Sequence, residues 1–140
     1  MYAEFDDSLV TGNEMIDTQH KELIGKINDL LRSCEDHADR KAAVRMLNYL
    51  ADYTEYHFKA EEQLQEEIGY PGIKEHKAKH EELRKTVSEL HEMLEEQEGP
   101  TDDFVEMVNK NVTEWLYYHI KGFDRSVAEY KFMRNNENLI

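Results

Sequence analysis

Histidines recur in this sequence at spacings that place them on helix faces. His76 and His80 are four residues apart, so in a helix they lie on one side, one turn from each other. The same side continues in steps of three and four through Leu83, Val87, Leu90 and Leu94. The two imidazoles therefore stand on the stripe that should face the core, where a polar ring needs a partner.

Two further predicted helices carry a histidine on their apolar face. The face of the first helix reads His20, Leu23, Ile27, Leu30 and Cys34. The face of the second helix reads Leu47, Leu50, Thr54, His57, Glu61, Leu64 and Ile68. A glutamate in line with such a face is unfavourable unless something neutralises its charge, so Glu61 joins the histidines as a candidate site residue.

The fourth predicted helix adds a histidine and an aspartate. Its apolar face reads Phe104, Val108, Val112, Trp115 and His119. Asp124 follows five residues after His119, which in a regular helix is about 140° away from that face. A local bulge, or the end of the helix near Gly122, is needed to turn both side chains inward.

The elements that must position these residues are helices. Glycine and proline are few and Glu, Lys, Leu and Ala are abundant, which is typical of an all-α protein. Capping residues, prolines and glycines predict helices over about 17–34, 41–68, 73–97 and from 102, with a short fifth helix over 126–133. Asp17 or Thr18 is the expected cap of the first helix, and Thr101 is the expected cap of the fourth. Short connections between long helices favour an antiparallel up-down-up-down four-helix bundle.

The chain length of 140 residues predicts a single domain with a core of its own. We expect an N-terminal arm over 1–16, the bundle over about 17–124 and a C-terminal extension over 125–140. In the arm, Phe5, Leu9 and Val10 are expected to cover one end of the core. We read His37 and His91 as solvated histidines outside the site.

Composition excludes several classes of partner. Seventeen Lys and Arg against 31 Asp and Glu give a formal net charge of −14, which argues against nucleic acid and anionic membrane surfaces. The lone Cys34 cannot form an internal disulfide, and no apolar run is long enough to span a membrane. A cytoplasmic protein is the expected localisation.

Antiparallel order brings the candidate residues of all four helices to similar heights in the bundle. The set is His20, His57, Glu61, His76, His80, His119 and Asp124. A single inward histidine is usually a hydrogen-bonded core residue, but burying five of them with two acids would cost several kcal/mol without a shared partner. Five imidazoles and two carboxylates suit two first-row transition metals, because one metal could not use so many ligands.

The spacing of these residues resembles a known family. His20, then His57-x-x-x-Glu61, His76-x-x-x-His80 and His119-x-x-x-x-Asp124 match the ligand pattern of hemerythrins. The neighbouring Ile16-Asp17-Thr18-Gln19-His20 and Tyr70-Pro71 are similar to bacterial hemerythrins. The resemblance covers nearly the whole chain, to about residue 125.

The resemblance implies a non-haem di-iron centre that binds dioxygen reversibly, with two iron ions (Fe2+/Fe3+) joined by an oxo or hydroxo bridge. By position, His76, His80 and His119 would hold one iron, which is coordinatively filled. His20 and His57 would hold the other, which keeps a position open for dioxygen. Glu61 and Asp124 would bridge the two ions.

A dry apolar pocket should surround the open position, because water there would promote oxidation of the iron. The candidate walls, each within a turn of His20 or His119, are Leu23, Ile24, Trp115, Leu116 and Ile120. The same residues could equally be ordinary core. Tyrosines also cluster near the site, and amphipathic rings at the bundle edge are the favoured interpretation for Tyr53, Tyr56, Tyr117 and Tyr118.

The leading functional hypothesis is an oxygen-binding protein for storage or delivery, rather than an enzyme. The chain contains no Glu-x-x-His motif, the motif that di-iron oxygenases of the bundle type use twice. Two alternatives remain: an oxygen or redox sensor that acts through a partner, and a di-iron enzyme with weak oxidase, peroxidase, nitric oxide or iron-handling activity. An oxygen-requiring enzyme or a redox protein is the class of partner left open.

Overall fold

The computed structural model describes residues 2–35, 40–97 and 99–135 as an all-helical bundle. Helix α1 spans Glu14–Ser33, α2 spans Arg40–Ile68 and α3 spans Ile73–Glu96. The fourth helix, α4, runs without a break over 102–135. His37 and the last five residues of the predicted extension lie outside the described residues.

The helices pack as the sequence predicts. Helix α1 contacts α2, α2 contacts α3, and α3 contacts α4, so neighbours in the chain are neighbours in space. The antiparallel four-helix bundle is confirmed, and the predicted ends of α2 and α3 are met to within one residue. No helix in the described part of the chain is long and apolar enough to cross a membrane.

The start of α1 differs from the prediction. Asn13, not Asp17 or Thr18, is the N-cap, and its side chain accepts a hydrogen bond from the Ile16 backbone N–H. Asp17 lies in the first turn and accepts hydrogen bonds from Thr11 and Gly12 instead. Its carboxylate therefore caps the preceding turn, and the helix begins at Glu14, three residues before the predicted range of 17–34.

Helix α4 contains two π-helical turns. Asn109–Glu114 and Ile120–Asp124 are π-helical, between α-helical segments Asp102–Val108, Trp115–His119 and Arg125–Asn135. The predicted cap is confirmed, because the Thr101 side chain accepts from the Phe104 N–H. The predicted fifth helix is the continuation of α4, where Val127 and Ala128 pack with Ile16 and Leu64.

The first π turn corrects one predicted core position. A π turn holds an extra residue, so it shifts the buried face of the helix that follows. Leu116 is buried and Trp115 is only half-buried, although the regular period had placed Trp115 on the core face.

The N-terminal arm is tied to two helices. Ala3 exchanges a pair of hydrogen bonds with the Asn28 side chain of α1, and the Glu4 N–H donates to the Tyr117 hydroxyl of α4. Leu9 is buried and Phe5 half-buried as expected, whereas Val10 is exposed. The arm thus closes the seam between the first and last helices.

Candidate metal centre

All seven candidate residues meet at one level of the bundle. Five are 0% exposed, His57 is 1% and His119 is 4% exposed. The second π turn makes this convergence possible, because it spans the five-residue step from His119 to Asp124 and aligns both side chains inward. The expected bulge is confirmed at this place.

The ligand atoms fall into two groups that share their carboxylates. One group takes an atom each from Glu61, His76, His80, His119 and Asp124. The other takes an atom each from His20, His57, Glu61 and Asp124. Within each group the atoms all lie within 4.8 Å of one another, which is close enough for one cation to contact the whole group.

Each carboxylate directs one oxygen towards each group. Asp124 Oδ1 lies 2.9 Å from His76 Nε2 and 3.1 Å from His119 Nε2, whereas Oδ2 lies 2.7 Å from His20 Nε2. Glu61 Oε1 lies 2.7 Å from His76 Nε2, whereas Oε2 lies 3.4 Å from His57 Nε2. Two cations, one held by each group, would therefore share both carboxylates.

The cluster does not satisfy its own hydrogen bonds. His76 Nε2 lies within 3 Å of His119 Nε2 and of one oxygen from each carboxylate, but a ring nitrogen has at most one proton to give. Neither Glu61 oxygen nor His80 Nε2, all of them buried, has a neighbour in hydrogen-bond geometry among the described residues, although Glu61 Oε1 lies 2.7 Å from His76 Nε2. Because unpaired buried polar atoms are costly and the free atoms are nitrogen and carboxylate donors, the residues fit a pair of cations.

The electrostatics of the cluster also favour bound positive charge. Burial and Asp124 both act to raise the pKa of Glu61, but contacts from His57, His76 and His80 outweigh them and bring it to about 2. Burial also acts to raise the pKa of Asp124. The surrounding histidines outweigh burial and hold that pKa well below its ordinary value. Burial acts to lower the pKa of His76, but the two carboxylates beside it raise that pKa to about 9.

Three polar residues outside the predicted set hold the outer nitrogens of the histidines. His57 Nδ1 donates to Gln19 Oε1 at 2.7 Å, whereas Gln65 Nε2 donates to His76 Nδ1 at 2.8 Å. His80 Nδ1 donates to Glu62 Oε2 at 2.7 Å. Such outer partners fix the ring orientation of metal-binding histidines. Their sequence signal is adjacency: Gln19 precedes His20, and Glu62 and Gln65 follow Glu61 by one residue and by one turn.

The residues expected to wall an oxygen pocket are in the main core. Leu23, Ile24, Leu116 and Ile120 are at most 5% exposed and belong to one continuous apolar cluster. Trp115 instead stacks on His119, with ring centroids 4.4 Å apart, and lines a surface cavity with it. Trp115 is therefore a neighbour of the three-histidine group.

The remaining predicted neighbours lie outside the cluster. Tyr56 and Tyr118 are exposed, and Tyr53 and Tyr117 are half-buried, which agrees with rings at the bundle edge. Cys34 is buried at the end of α1 that is remote from His20. His91 is half-buried and contributes to neither ligand group.

Comparison with known proteins agrees with this geometry. The sequence model of the family described as "Hemerythrin HHE cation binding domain" matches residues 11–130. A bacteriohemerythrin of Stenotrophomonas maltophilia is 34% identical over 123 residues, which are 88% of this chain and 77% of that protein. A bacteriohemerythrin of Aquifex aeolicus is 30% identical over 118 residues, which are 84% of this chain and 88% of that protein.

A solved structure gives the same result for the fold. The crystal structure of a wild-type hemerythrin superposes with a TM-score of 0.70 at 28% identity, covering 85% of this chain and 88% of that one. The likeness thus includes both the sequence around the cluster and the bundle that positions it.

Proposed function

The chain belongs to the hemerythrin family, and from that premise we propose that it binds dioxygen reversibly at a non-haem di-iron centre, for oxygen storage or delivery. The proposed ligands are His76, His80 and His119 for one iron and His20 and His57 for the other. Glu61 and Asp124 are the proposed bridges.

One observation carries the proposal: the two groups share both carboxylates but differ in their number of histidines. The three-histidine group offers five donor atoms, whereas the two-histidine group offers four. The second group therefore has room for one more external ligand than the first. We assign dioxygen to that position.

Bound iron would supply the electrons that make dioxygen binding reversible, and the chain's own residues create the conditions for it. Glu61 and Asp124 are fully buried anions that offset the positive charge of the cations. The buried apolar side chains of Leu23, Leu116 and Ile120 limit the access of water to the cluster. Histidine-rich ligation donates less charge than four carboxylates, which favours carrying oxygen over oxidising a substrate.

The direct test is an absorption spectrum of protein loaded with Fe2+ under argon and then cycled between dioxygen and argon. A charge-transfer band that forms under dioxygen and disappears under argon supports the proposal. A band that argon does not reverse would replace the carrier with a redox or sensing role. Two bound irons without any band would overturn oxygen binding and leave iron handling.

The assignment of the open position has its own test. We expect His20→Ala or His57→Ala to impair the oxygen-dependent band more selectively than His80→Ala, because the first two belong to the group with fewer donors. Iron content, measured on the same samples, separates loss of oxygen binding from loss of metal. Equal loss of both irons in all three variants would contradict the assignment.

A further inference from the structure

The five imidazoles of the cluster differ in what holds their outer nitrogen. His57 and His76 contact neutral amides, those of Gln19 and Gln65. The Nδ1 atoms of His20 and His119 are buried without a hydrogen-bond partner among the described residues. Of the five, His80 is the one whose Nδ1 contacts a carboxylate, that of Glu62.

The contact with Glu62 defines where the His80 proton is. A carboxylate accepts and does not donate, so at 2.7 Å the Nδ1 atom carries the proton and Nε2 carries the lone pair. That Nε2 atom is buried, has no hydrogen-bond partner among the residues that the structure describes, and lies 3.7 Å from Glu61 Oε1. The ring is therefore already in the tautomer that a metal ligand needs.

Stacking fixes the plane of the same ring. The Phe58 ring lies parallel to the His80 ring, with centroids 3.7 Å apart and planes 7° from parallel. Arg84 covers the Phe58 ring, with its guanidinium carbon 5.1 Å from the centroid. Arg84 also has Nη2 3.9 Å from Glu62 Oε2 and donates through Nε to Glu55 at 2.6 Å.

We propose that Glu62 is a positioning residue that sets the tautomer of His80 and, by its negative charge, makes the three-histidine pocket the stronger electron donor of the two. The inference rests on the proposed metal centre. An anionic acceptor draws the Nδ1 proton away from the ring and so increases the electron density that Nε2 can donate to a cation. The neutral amides beside His57 and His76 provide the orientation without this charge.

The consequence is an electronic difference between the two pockets. Increased donation from His80 strengthens cation binding in the three-histidine pocket and stabilises the more highly charged state of a redox-active ion there. Arg84 moderates the effect, because its guanidinium shares the negative charge of Glu62 with the ring. The pocket with fewer donors receives no anionic support of this kind from its described neighbours.

The experiment compares three variants in the full chain. Glu62→Gln keeps the size and an oxygen acceptor for Nδ1 but removes the charge, and Glu62→Ala removes the acceptor. Glu67→Gln makes the same charge change at an exposed position of α2 and is the matched control. Each protein is titrated anaerobically with Co2+, whose visible absorption reports the two sites.

We expect Glu62→Gln to weaken binding of one of the two Co2+ ions by about tenfold or more, within the range known for outer partners of metal ligands. The second ion and the Glu67→Gln control should be unchanged. In the iron-loaded protein, Glu62→Gln should raise the midpoint potential, because a more weakly donating His80 stabilises the oxidised ion less. A purely structural role would leave that potential unmoved, since glutamine still accepts the hydrogen bond.

Nitrogen-15 NMR of the histidine rings in metal-free protein provides a readout that needs no metal. We expect His80 protonated at Nδ1 in the wild type and a mixture of tautomers in Glu62→Ala. Wild-type affinity and potential in Glu62→Gln would overturn the charge effect, and an unchanged tautomer in Glu62→Ala would overturn the positioning role. Failure of the wild type to bind Co2+ or iron would instead contradict the proposed metal centre.

Discussion

The two ends of this bundle are built from the same four helices and filled with opposite chemistry. At one end, the helices meet through fully buried apolar side chains, among them Leu30, Leu47, Leu90 and Phe104. At the other end, the same faces present five histidines and two carboxylates that are equally buried. The apolar end gains free energy from packing alone, whereas the polar end has buried nitrogen and oxygen atoms without a hydrogen-bond partner in the described part of the chain, which a bound cation would satisfy.

The difference teaches that fold and site are supported separately. Apolar burial at one end holds the helices in register, and that register brings the polar residues together at the other. The site can therefore retain polar groups that reduce the stability of the metal-free protein. If this division is correct, changes at the two ends will respond differently to metal.

The largest effect is expected from a cavity at the apolar end. Leu90 is 0% exposed, so Leu90→Ala should lower the free energy of unfolding by about 2–5 kcal/mol. Urea denaturation should show the same loss in the metal-free and the metal-loaded protein, because Leu90 lies away from the cluster. The exposed Glu92→Ala on the same helix is the control. A loss that metal largely restores would mean that the two ends are not independent.

A smaller gain is expected from metal at the polar end. At a free Co2+ concentration of 100 times the dissociation constant, the protein should be stabilised by about 2.7 kcal/mol per site. Glu61→Gln should remove most of this gain, because it replaces a buried anion shared by both ligand groups. Thermal unfolding with and without Co2+ measures both quantities. An undiminished metal-dependent gain in Glu61→Gln would exclude Glu61 as a ligand.

Helix caps provide a comparison in which the two ends should not differ. Asn13 caps α1 near the polar end, and Thr101 caps α4 near the apolar end. In metal-free protein, Asn13→Ala and Thr101→Ala should each cost about 1 kcal/mol, since each removes one side-chain acceptor for a backbone N–H. Similar losses of unfolding free energy in the two variants would mean that the contrast between the ends comes from the buried side chains. A loss in only one variant would mean that the backbone at the helix ends contributes to that contrast.

The smallest effect is a pH dependence at the apolar end. Burial raises the pKa of Cys34 above its ordinary value of 9.0, although a contact from Ser33 acts in the opposite direction. The folded protein therefore holds the thiol proton more tightly than the unfolded chain. The contribution of the buried thiol to the free energy of unfolding is complete below pH 9 and declines as the pH rises further. Comparing wild type with Cys34→Ala, the stability difference should shrink above that pH. A difference that grows there would contradict the burial of the thiol.

Much of this structure follows from local sequence. Helical periodicity and capping residues predicted the bundle and the ends of α2 and α3, because these depend on side chains within one or two turns. Six of the seven residues of the cluster were identified as polar side chains on apolar faces, and Asp124 was added by its spacing from His119. The five-residue step from His119 to Asp124 even predicted an irregular turn, which is the second π turn.

Other features were decided only by the tertiary structure. The first π turn has no such spacing signal, so the change of the buried position from Trp115 to Leu116 could not be predicted. Asn13 and Asp17 are both good capping residues, and only the folded loop determines which of them caps the helix. The division of the carboxylate oxygens between two histidine groups depends on four helices packing at once.

The sequence by itself determined which seven residues are candidates for the site and, for all of them except Asp124, on which helix face they lie, because helical geometry fixes those relations within each segment. The tertiary structure decided which nitrogen His57 and His80 turn inward, because that choice depends on Gln19 and Glu62, whose contacts cross between helices. Spacing along a chain can specify a face. The orientation of a ring within that face is set by what packs against it.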